Sequence, residues 1–216
     1  MWGGNRLSGE KEAQINSDRR EHILQIAMKR FAKDGYHATK ISDIVAEAGV
    51  AQGTFYWYFK SKEAIALEIV KEGREKLLDV IRHGYRREAG SVQDMVHASE
   101  ALLESLFRFA ESNRYLIELI FGRGEGVETI RHAIRETRAA MENSFLLNIR
   151  RAIELGMLPA SIDAEFRATM IMSLIEGVIS RWLLGFAPPG SGIESKTAQQ
   201  LAAETARFEF FGLLGV

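Results

Sequence analysis

Apolar residues recur every three or four positions along most of this chain, which is the spacing that places them on one face of an α-helix. Only three prolines interrupt the pattern, and clusters of turn residues between the periodic segments are rare. Sandwiches and barrels need many tight turns between short strands of alternating character. The pattern therefore predicts an all-α protein of about nine helices.

The first predicted helix begins after Ser17. Residues 1–16 are polar, contain glycines and show no helical period, so we expect a disordered arm there. Ser17 is a suitable N-cap for the segment that follows, and Gly35 is a suitable C-terminal stop. Between these two residues the apolar positions recur at intervals of four: Ile23, Ala27 and Phe31.

Two shorter helices follow the first across glycine-containing turns. Thr39 is a candidate cap for the second helix, which ends at Gly49. The third begins near Ala51 and runs into Phe59. Two short helices separated by a tight turn form the helix-turn-helix pattern, in which the second of them enters the major groove of DNA.

The aromatic residues of GTFYWYF divide between the faces of this third helix. At about 100° per residue, Phe55 and Phe59 share one face, so we expect both in the core. Trp57 lies about 200° from Phe55 and points away from that core. Tyr56 and Tyr58 fall on the flanks, where their hydroxyls can reach phosphate oxygens. A DNA groove would explain why a large aromatic side chain is exposed.

The polar neighbours of Trp57 are the predicted DNA contacts. Gln52 and Thr54 offer amide and hydroxyl groups for base edges or phosphates, and Gly53 allows the helix backbone to approach the duplex closely. Lys60 and Lys62 follow the helix, where contacts with backbone phosphates are expected. A pair of solvated surface lysines is the simpler alternative for these two residues alone.

Charge is distributed unevenly along the chain. The net charge of the whole chain is −1, but residues 17–62 contain eight basic and five acidic residues, a local net charge of +3. Because the footprint of a DNA-binding protein is a local basic patch, the total charge does not argue against DNA binding. Random variation of surface charge is the alternative explanation.

The remainder of the chain is predicted to form six more helices without a linker. They are expected over residues 63–84, 92–112, 113–121, 127–155, 163–185 and 194–214. The last two carry apolar residues on more than one face. Part of that surface is ordinary core, and we expect the rest to form a four-helix interface between two subunits.

The C-terminal helices contain candidate residues for a small-molecule pocket. Large apolar side chains in the C-terminal helices are candidates for lining it, although each is also explained by core packing: Phe107, Tyr115, Phe121, Met141, Phe145, Met170 and Trp182. Glu176 lies in the middle of an apolar helix, where it can contact a ligand, pair with Arg181 or Arg167, or bond across a dimer. These residues suggest a lipophilic or acyl-type ligand.

Several classes of site are excluded or disfavoured. The chain has no cysteine, and its five histidines lack metal-binding spacing, so we predict no metal site, no cofactor and no catalytic residue. GSGIESKT (190–197) has Ser195 where a P-loop needs glycine, so it is not expected to bind a nucleotide. GRGEG (122–126) is expected to be a glycine-rich break between two helices. No apolar run approaches about 18 residues, and no export signal is evident. We therefore predict a cytoplasmic protein that is neither an enzyme nor membrane-bound.

The block TKISDIVAEAGVAQGTFYWYFKSKEAI, residues 39–65, resembles the signature of the TetR (tetracycline-repressor) family of bacterial transcriptional regulators. The resemblance implies a DNA-binding domain over 17–62 and a ligand-binding and dimerisation domain over 63–216. It further implies a homodimer that represses transcription at a double-stranded, pseudo-palindromic operator until a small molecule releases it. A DNA-binding regulator without a small-molecule effector is the alternative.

Family members commonly contact DNA from a set of positions that can be matched individually in this sequence: Thr39, Lys40, Gln52, Gly53, Thr54, Tyr56, Trp57 and Lys62. Two residues depart from the usual pattern. Lys40 stands where a small hydroxyl residue is frequent, and Tyr58 stands where histidine is also common. Both departures bear on phosphate contacts or half-site preference and leave the class of protein unchanged.

Overall fold

A computed structural model describes residues 4–84, 88–122 and 126–214 of the chain. Within these ranges it contains nine α-helices and no strand, which confirms the predicted fold class. The helices are α1 (Gly4–Asp34), α2 (Ile41–Ala48), α3 (Gln52–Tyr58), α4 (Lys62–His83), α5 (Val92–Ser112), α6 (Arg114–Phe121), α7 (Glu128–Glu154), α8 (Ala164–Leu183) and α9 (Ala198–Phe211). Short 3-10 turns cover Ile193–Ser195 and Gly212–Leu214. Three residues of the predicted GRGEG break, 123–125, lie outside the described residues.

The first three helices enclose a small apolar core. Its large side chains are Phe31, Ile44, Val45, Phe55 and Phe59. Phe55 and Phe59 are therefore buried, as the helical spacing predicted. The rings of Phe55 and Phe59 have centroids 5.6 Å apart. The tight turn between α2 and α3 depends on Gly49, whose φ of 64° is a left-handed conformation that glycine adopts without steric cost.

Helix α1 is longer than the sequence predicted. It begins at Gly4, so the prediction of a disordered arm over residues 1–16 is wrong for residues 4–16, and Ser17 lies inside the helix instead of capping it; residues 1–3 lie outside the described part of the chain. The prediction relied on the absence of an apolar stripe. Such a stripe shows that one face of a helix is packed, so its absence does not show that a segment is not helical. No proline interrupts this segment, and extending a helix that has already nucleated costs little.

Helix α4 joins the N-terminal unit to the helices that follow it. Its first half contributes Ile65 and Ile69 to the buried core, and its second half contributes Leu77 and Ile81. Gly73 lies between them at a close approach of α6, where an added Cβ would overlap the side chain of Leu116. Because α4 continues without a break, the two parts of the chain share one hydrophobic core.

Helix α7 runs beside α4 in the same direction. Near the two N-termini, the hydroxyl of Thr129 donates a hydrogen bond to the carboxylate of Glu63. Residues 74–82 of α4 then face residues 140–148 of α7 across a cleft. The two helices therefore lead away together from the three-helix unit.

The ends of the C-terminal helices follow their capping residues. Ser91 caps α5, because its hydroxyl accepts from the backbone N–H of Asp94. The predicted start of the last helix near residue 194 is wrong. Residues Ile193–Ser195 form a 3-10 turn, Lys196 is extended, and Thr197 caps α9 through the backbone N–H of Gln200.

Helix α8 presents two apolar faces. One is buried and contains Met172, Ile175 and Ile179. The other exposes Phe166 and Met170, whose exposed fractions are 60% and 45%. Within the ranges that the structure describes, no helix is both long and apolar enough to cross a membrane.

Candidate nucleic-acid interface

The outer face of α3 is formed by Gln52, Gly53, Tyr56 and Trp57, all of which are exposed. Trp57 is 67% exposed, although it stands two residues from the fully buried Phe55. The helical geometry of this short segment therefore places a large aromatic surface in solvent, which confirms the predicted division of the aromatic residues. We call these four residues the α3 face.

Among the residues that the structure describes, none requires glycine at position 53. A Cβ built there meets no atom within 4 Å, and the residue does not have a positive φ. Glycine in a helix costs about 0.5–1 kcal/mol relative to alanine. The absence of a side chain at the centre of the α3 face therefore leaves room for a partner, at some cost to helix stability.

The side chain of Thr39 is oriented inward. It is 2% exposed, and its hydroxyl donates to the backbone oxygen of Gly35 at 2.8 Å. The residue that precedes α2 as its N-cap is Lys40, whose backbone N–H donates to the carboxylate of Asp43 at 2.9 Å. The predicted cap is therefore wrong, and the structure does not present the Thr39 hydroxyl to DNA.

Lys62 holds the turn between α1 and α2. Its ammonium donates to the backbone oxygens of Tyr36 and Thr39, both at 2.8 Å, and lies 4.4 Å from the centre of the Tyr36 ring. The structure therefore gives this lysine an internal role where the sequence predicted a phosphate contact. Lys60 remains exposed after the end of α3.

The two tyrosines of α3 differ in their surroundings. Tyr58 is half-buried, and its hydroxyl donates to the side-chain oxygen of Asn16 on α1 at 3.4 Å. Its ring packs edge-on against Trp57, with centroids 4.5 Å apart. Tyr56 is exposed, so its hydroxyl is the better placed of the two for a phosphate. Thr54, between the faces, is half-buried.

Internal ion pairs neutralise much of the basic charge in this region. Lys29 and Arg30 both bind Glu47, joining α1 to α2. Hydrogen bonds from these two residues hold the pKa of the Glu47 carboxyl below its ordinary value. Arg20 pairs with Glu68 and with Glu72 of α4.

Two lysines near the α3 face keep their charge available. Lys40 precedes α2 and Lys60 follows α3, and both side chains are exposed. Neither forms an ion pair with a carboxylate in the described ranges. The net charge of residues 17–62 therefore overstates the positive charge that is available for a partner, and Lys40 and Lys60 supply part of what remains.

The predicted ligand-binding residues of the C-terminal helices do not line one cavity that the structure shows. Five are buried in the core: Phe107, Phe121, Met141, Phe145 and Trp182. Phe107 and Trp182 contact each other, with centroids 6.2 Å apart. Tyr115 is half-buried, whereas Met170 is exposed on α8.

Glu176 forms an ion pair with Arg138 of α7. Pairing with Arg181 or Arg167 was one of the three alternatives that the sequence left open for Glu176, and Arg138 is the partner that the structure shows. Arg181 instead donates to the backbone oxygen of Gly177 at 3.1 Å. Sequence spacing suggested partners on the same helix, whereas packing of α7 against α8 supplies this one. Burial lowers the pKa of Arg138.

Comparison with known families identifies the N-terminal region. The profile described as "Bacterial regulatory proteins, tetR family" matches residues 23–69, which include α2, α3 and the start of α4. The chain is 31% identical over 173 residues to the uncharacterised HTH-type transcriptional regulator YvdT of Bacillus subtilis, covering 79% of this chain and 85% of that relative. It is 25% identical over 200 residues to the HTH-type transcriptional regulator AcrR of Shigella flexneri, covering 89% and 90%.

Solved structures share the whole fold. The transcriptional regulator FadR of Bacillus subtilis, in complex with stearoyl-CoA, matches with a TM-score of 0.73 and 20% identity, covering 89% of this chain and 98% of that chain. The SmeT–triclosan complex matches with a TM-score of 0.71 and 21% identity, covering 88% and 90%. The similarity therefore extends through the C-terminal helices as well as the three-helix unit.

Proposed function

The chain belongs to the tetR family of bacterial regulatory proteins, and from this premise we propose that it is a repressor that binds a pseudo-palindromic operator as a homodimer and is released by a small hydrophobic effector. Membership makes it a DNA-binding transcriptional regulator with a helix-turn-helix. In the proposed arrangement, residues 17–62 bind DNA and residues 63–216 bind the effector and dimerise. The cytoplasm is the proposed location.

The exposure of Trp57 on the α3 face carries the proposal. A helix that buries Phe55 and Phe59 while it exposes an indole beside Gly53 has the shape of a recognition helix. The proposed contacts are the predicted residues that remain exposed or half-buried there: Lys40, Gln52, Gly53, Thr54, Tyr56, Trp57, Tyr58 and Lys60. The inward positions of Thr39 and Lys62 remove them from this set.

Selection of duplexes from a random pool, with the purified full chain, tests this proposal. We expect the retained sequences to contain an inverted repeat and to bind two chains per duplex, because one recognition helix reads only one half-site. The logarithm of the association constant should fall linearly with the logarithm of salt concentration. Retention of no duplex would overturn the proposal. Salt-sensitive binding that no small molecule relieves would favour a regulator without an effector.

Substituting Gly53→Ala should stabilise the protein while it weakens operator binding. Removing a helical glycine is expected to raise the free energy of unfolding by about 0.5–1 kcal/mol, since the new methyl meets no atom within 4 Å. The same methyl would stand between the helix and the duplex. Urea unfolding and fluorescence anisotropy measure the two effects.

Ser105→Ala is a suitable control for Gly53→Ala. Ser105 is exposed on α5, and alanine at this position also increases helix propensity. Operator affinity should be unchanged in this variant. Full operator affinity in Gly53→Ala would show that the α3 face does not approach the duplex closely.

The apolar outer surface of α8 and α9 supports the proposed dimer. Phe166 and Met170 of α8 and Phe208 of α9 are exposed in the single chain. Apolar side chains of this size are the kind of surface that an interface covers. The relatives in complex with stearoyl-CoA and triclosan support a small-molecule effector for this chain as well.

The variant Phe166→Glu should convert a dimer into a monomer. The side chain is exposed in the single chain, so the fold should tolerate glutamate, whereas two buried carboxylates would oppose association. Sedimentation velocity measures the change. Val92→Glu, which replaces an exposed apolar residue at the start of α5, should remain dimeric. A wild-type chain that sediments as a monomer would contradict the proposed interface.

A further inference from the structure

A cleft of about 450 Å³ lies between α4 and α7. Each helix contributes one stripe of residues spaced three or four apart, with Arg74, Leu78, Ile81 and Arg82 on α4 and Ala140, Asn143, Ser144, Leu147 and Asn148 on α7. Its volume is in the range that small-molecule sites occupy. None of the eight residues predicted to line a ligand pocket belongs to it.

The charges that line this cleft have one sign. Arg74 is half-buried and Arg82 is exposed, and no acidic residue lines the cleft with them. Neither arginine forms an ion pair with a carboxylate in the described ranges. Guanidinium groups bind carboxylate and phosphate oxygens with paired hydrogen bonds. An anionic group is therefore the natural complement of this surface.

Asn148 adds a hydrogen-bond donor that lacks an acceptor. Its side-chain Nδ2 is shielded from solvent and has no hydrogen-bond partner within the described residues. Buried polar groups are almost always paired, so an unpaired donor that lines a cleft indicates an acceptor supplied from outside. Ser144 beside it is already committed, since its hydroxyl donates to the backbone oxygen of Ala140 at 3.0 Å.

The remaining walls of the cleft are apolar. Leu78 and Ile81 are buried beneath it, and Leu147 is exposed at its edge, where an apolar ligand would cover it. A site with two arginines, an unpaired amide and three aliphatic side chains combines a polar end with an apolar surface. This combination distinguishes it from the aromatic interior that the sequence suggested.

We infer that the cleft between α4 and α7 binds a small amphiphilic anion. A carboxylate or phosphate group is held by Arg74, Arg82 and the amide of Asn148, and a short aliphatic body lies on Leu78, Ile81 and Leu147. The inference rests on the proposed function in one respect, namely that the occupant of this cleft is the effector. Because α4 follows α3 directly in the chain, a ligand bound between α4 and α7 can change the position of α4 and with it the position of α3.

Three eight-carbon probes test the ligand class on the full chain without DNA. Octanoate and octyl phosphate carry the two head groups, and 1-octanol carries neither charge. By isothermal titration calorimetry we expect at least one anion to bind about tenfold or more tightly than octanol, and the better of the two identifies the head group. Equal affinities for the three probes would overturn the inference.

Variants of the lining residues place the site. The double variant Arg74→Gln/Arg82→Gln should weaken binding of the preferred anion about tenfold or more and leave octanol binding unchanged. Lys76→Gln is the matched control, since it removes a positive charge from an exposed position on the opposite face of α4. Anion affinity that survives the double substitution, or that falls equally in the control, would overturn the site.

Asn148→Asp provides a second variant of nearly unchanged shape. It replaces the unpaired amide donor with a carboxylate, so the anion should be repelled even if the double arginine variant does not fold. Full anion affinity in Asn148→Asp would overturn the role of the amide.

Adding the preferred anion to a protein–operator complex then tests regulation separately. Anion binding that is lost in these variants but leaves operator affinity unchanged would keep the site and overturn its role as the effector site.

Discussion

The substitution Trp57→Ala is expected to weaken operator binding about 30-fold, which corresponds to about 2 kcal/mol, the size of a typical aromatic hot spot. The indole is 67% exposed, and its ring contact in the protein is with Tyr58. The unfolding transition should therefore move by no more than about 0.5 kcal/mol, as for other exposed positions. Fluorescence anisotropy with the selected duplex and urea unfolding give the two values.

Trp57→Phe is the graded control for this prediction. It keeps an aromatic ring on the α3 face but a smaller one, so operator affinity should fall between wild type and Trp57→Ala. A large loss of stability in Trp57→Ala would show that the indole belongs to the core. An unchanged operator affinity would show that α3 is not the helix that reads DNA.

Phe59→Ala is expected to have the opposite effect, lowering the free energy of unfolding by about 3–5 kcal/mol. The ring is 2% exposed and packs against Phe55, with centroids 5.6 Å apart. The guanidinium of Arg20 lies over it at 5.3 Å. Alanine would leave a cavity beside Phe55 and Arg20. Urea unfolding measures the loss, and protein that remains folded should retain its operator affinity.

Phe186→Ala is the matched control for Phe59→Ala. Phe186 follows α8 and is substantially exposed, so removing its ring should change stability by no more than about 0.5 kcal/mol. A comparable loss in both variants would mean that the effect comes from losing any phenylalanine and not from the packing of Phe59. A small effect of Phe59→Ala would contradict the three-helix core.

Side-chain periodicity was sufficient to predict α3 but not the roles of Thr39 and Lys62. Which residues of a short helix are buried depends on their angle around its axis, and the sequence contains that information. Thr39 and Lys62 instead bind backbone oxygens of the turn between α1 and α2. Where those oxygens point depends on the path of the turn in three dimensions, which no pattern of side chains specifies.

The cleft between α4 and α7 was missed for a related reason. Its residues come from two helices more than 50 positions apart, and the parallel alignment of those helices follows from the packing of the whole body. One signal was present in the sequence, since Arg74 and Arg82 interrupt the apolar stripe of α4 at helical spacing. The large apolar side chains that made other positions candidates for a pocket are mostly ordinary core.

The hydrogen bonds of Lys62 have a mechanical consequence. They connect the first turn of α4 to the segment that precedes α2, so we expect the three-helix unit and the start of α4 to move together. Over 22 residues α4 is about 33 Å long, so a tilt of about 5° about its C-terminal end displaces the three-helix unit by about 3 Å. In a symmetric dimer both three-helix units shift, so the distance between the two α3 helices changes by about 6 Å, compared with a half-site separation of about 34 Å. A small change in the tilt of α4 would then be enough to prevent the dimer from contacting both half-sites at once.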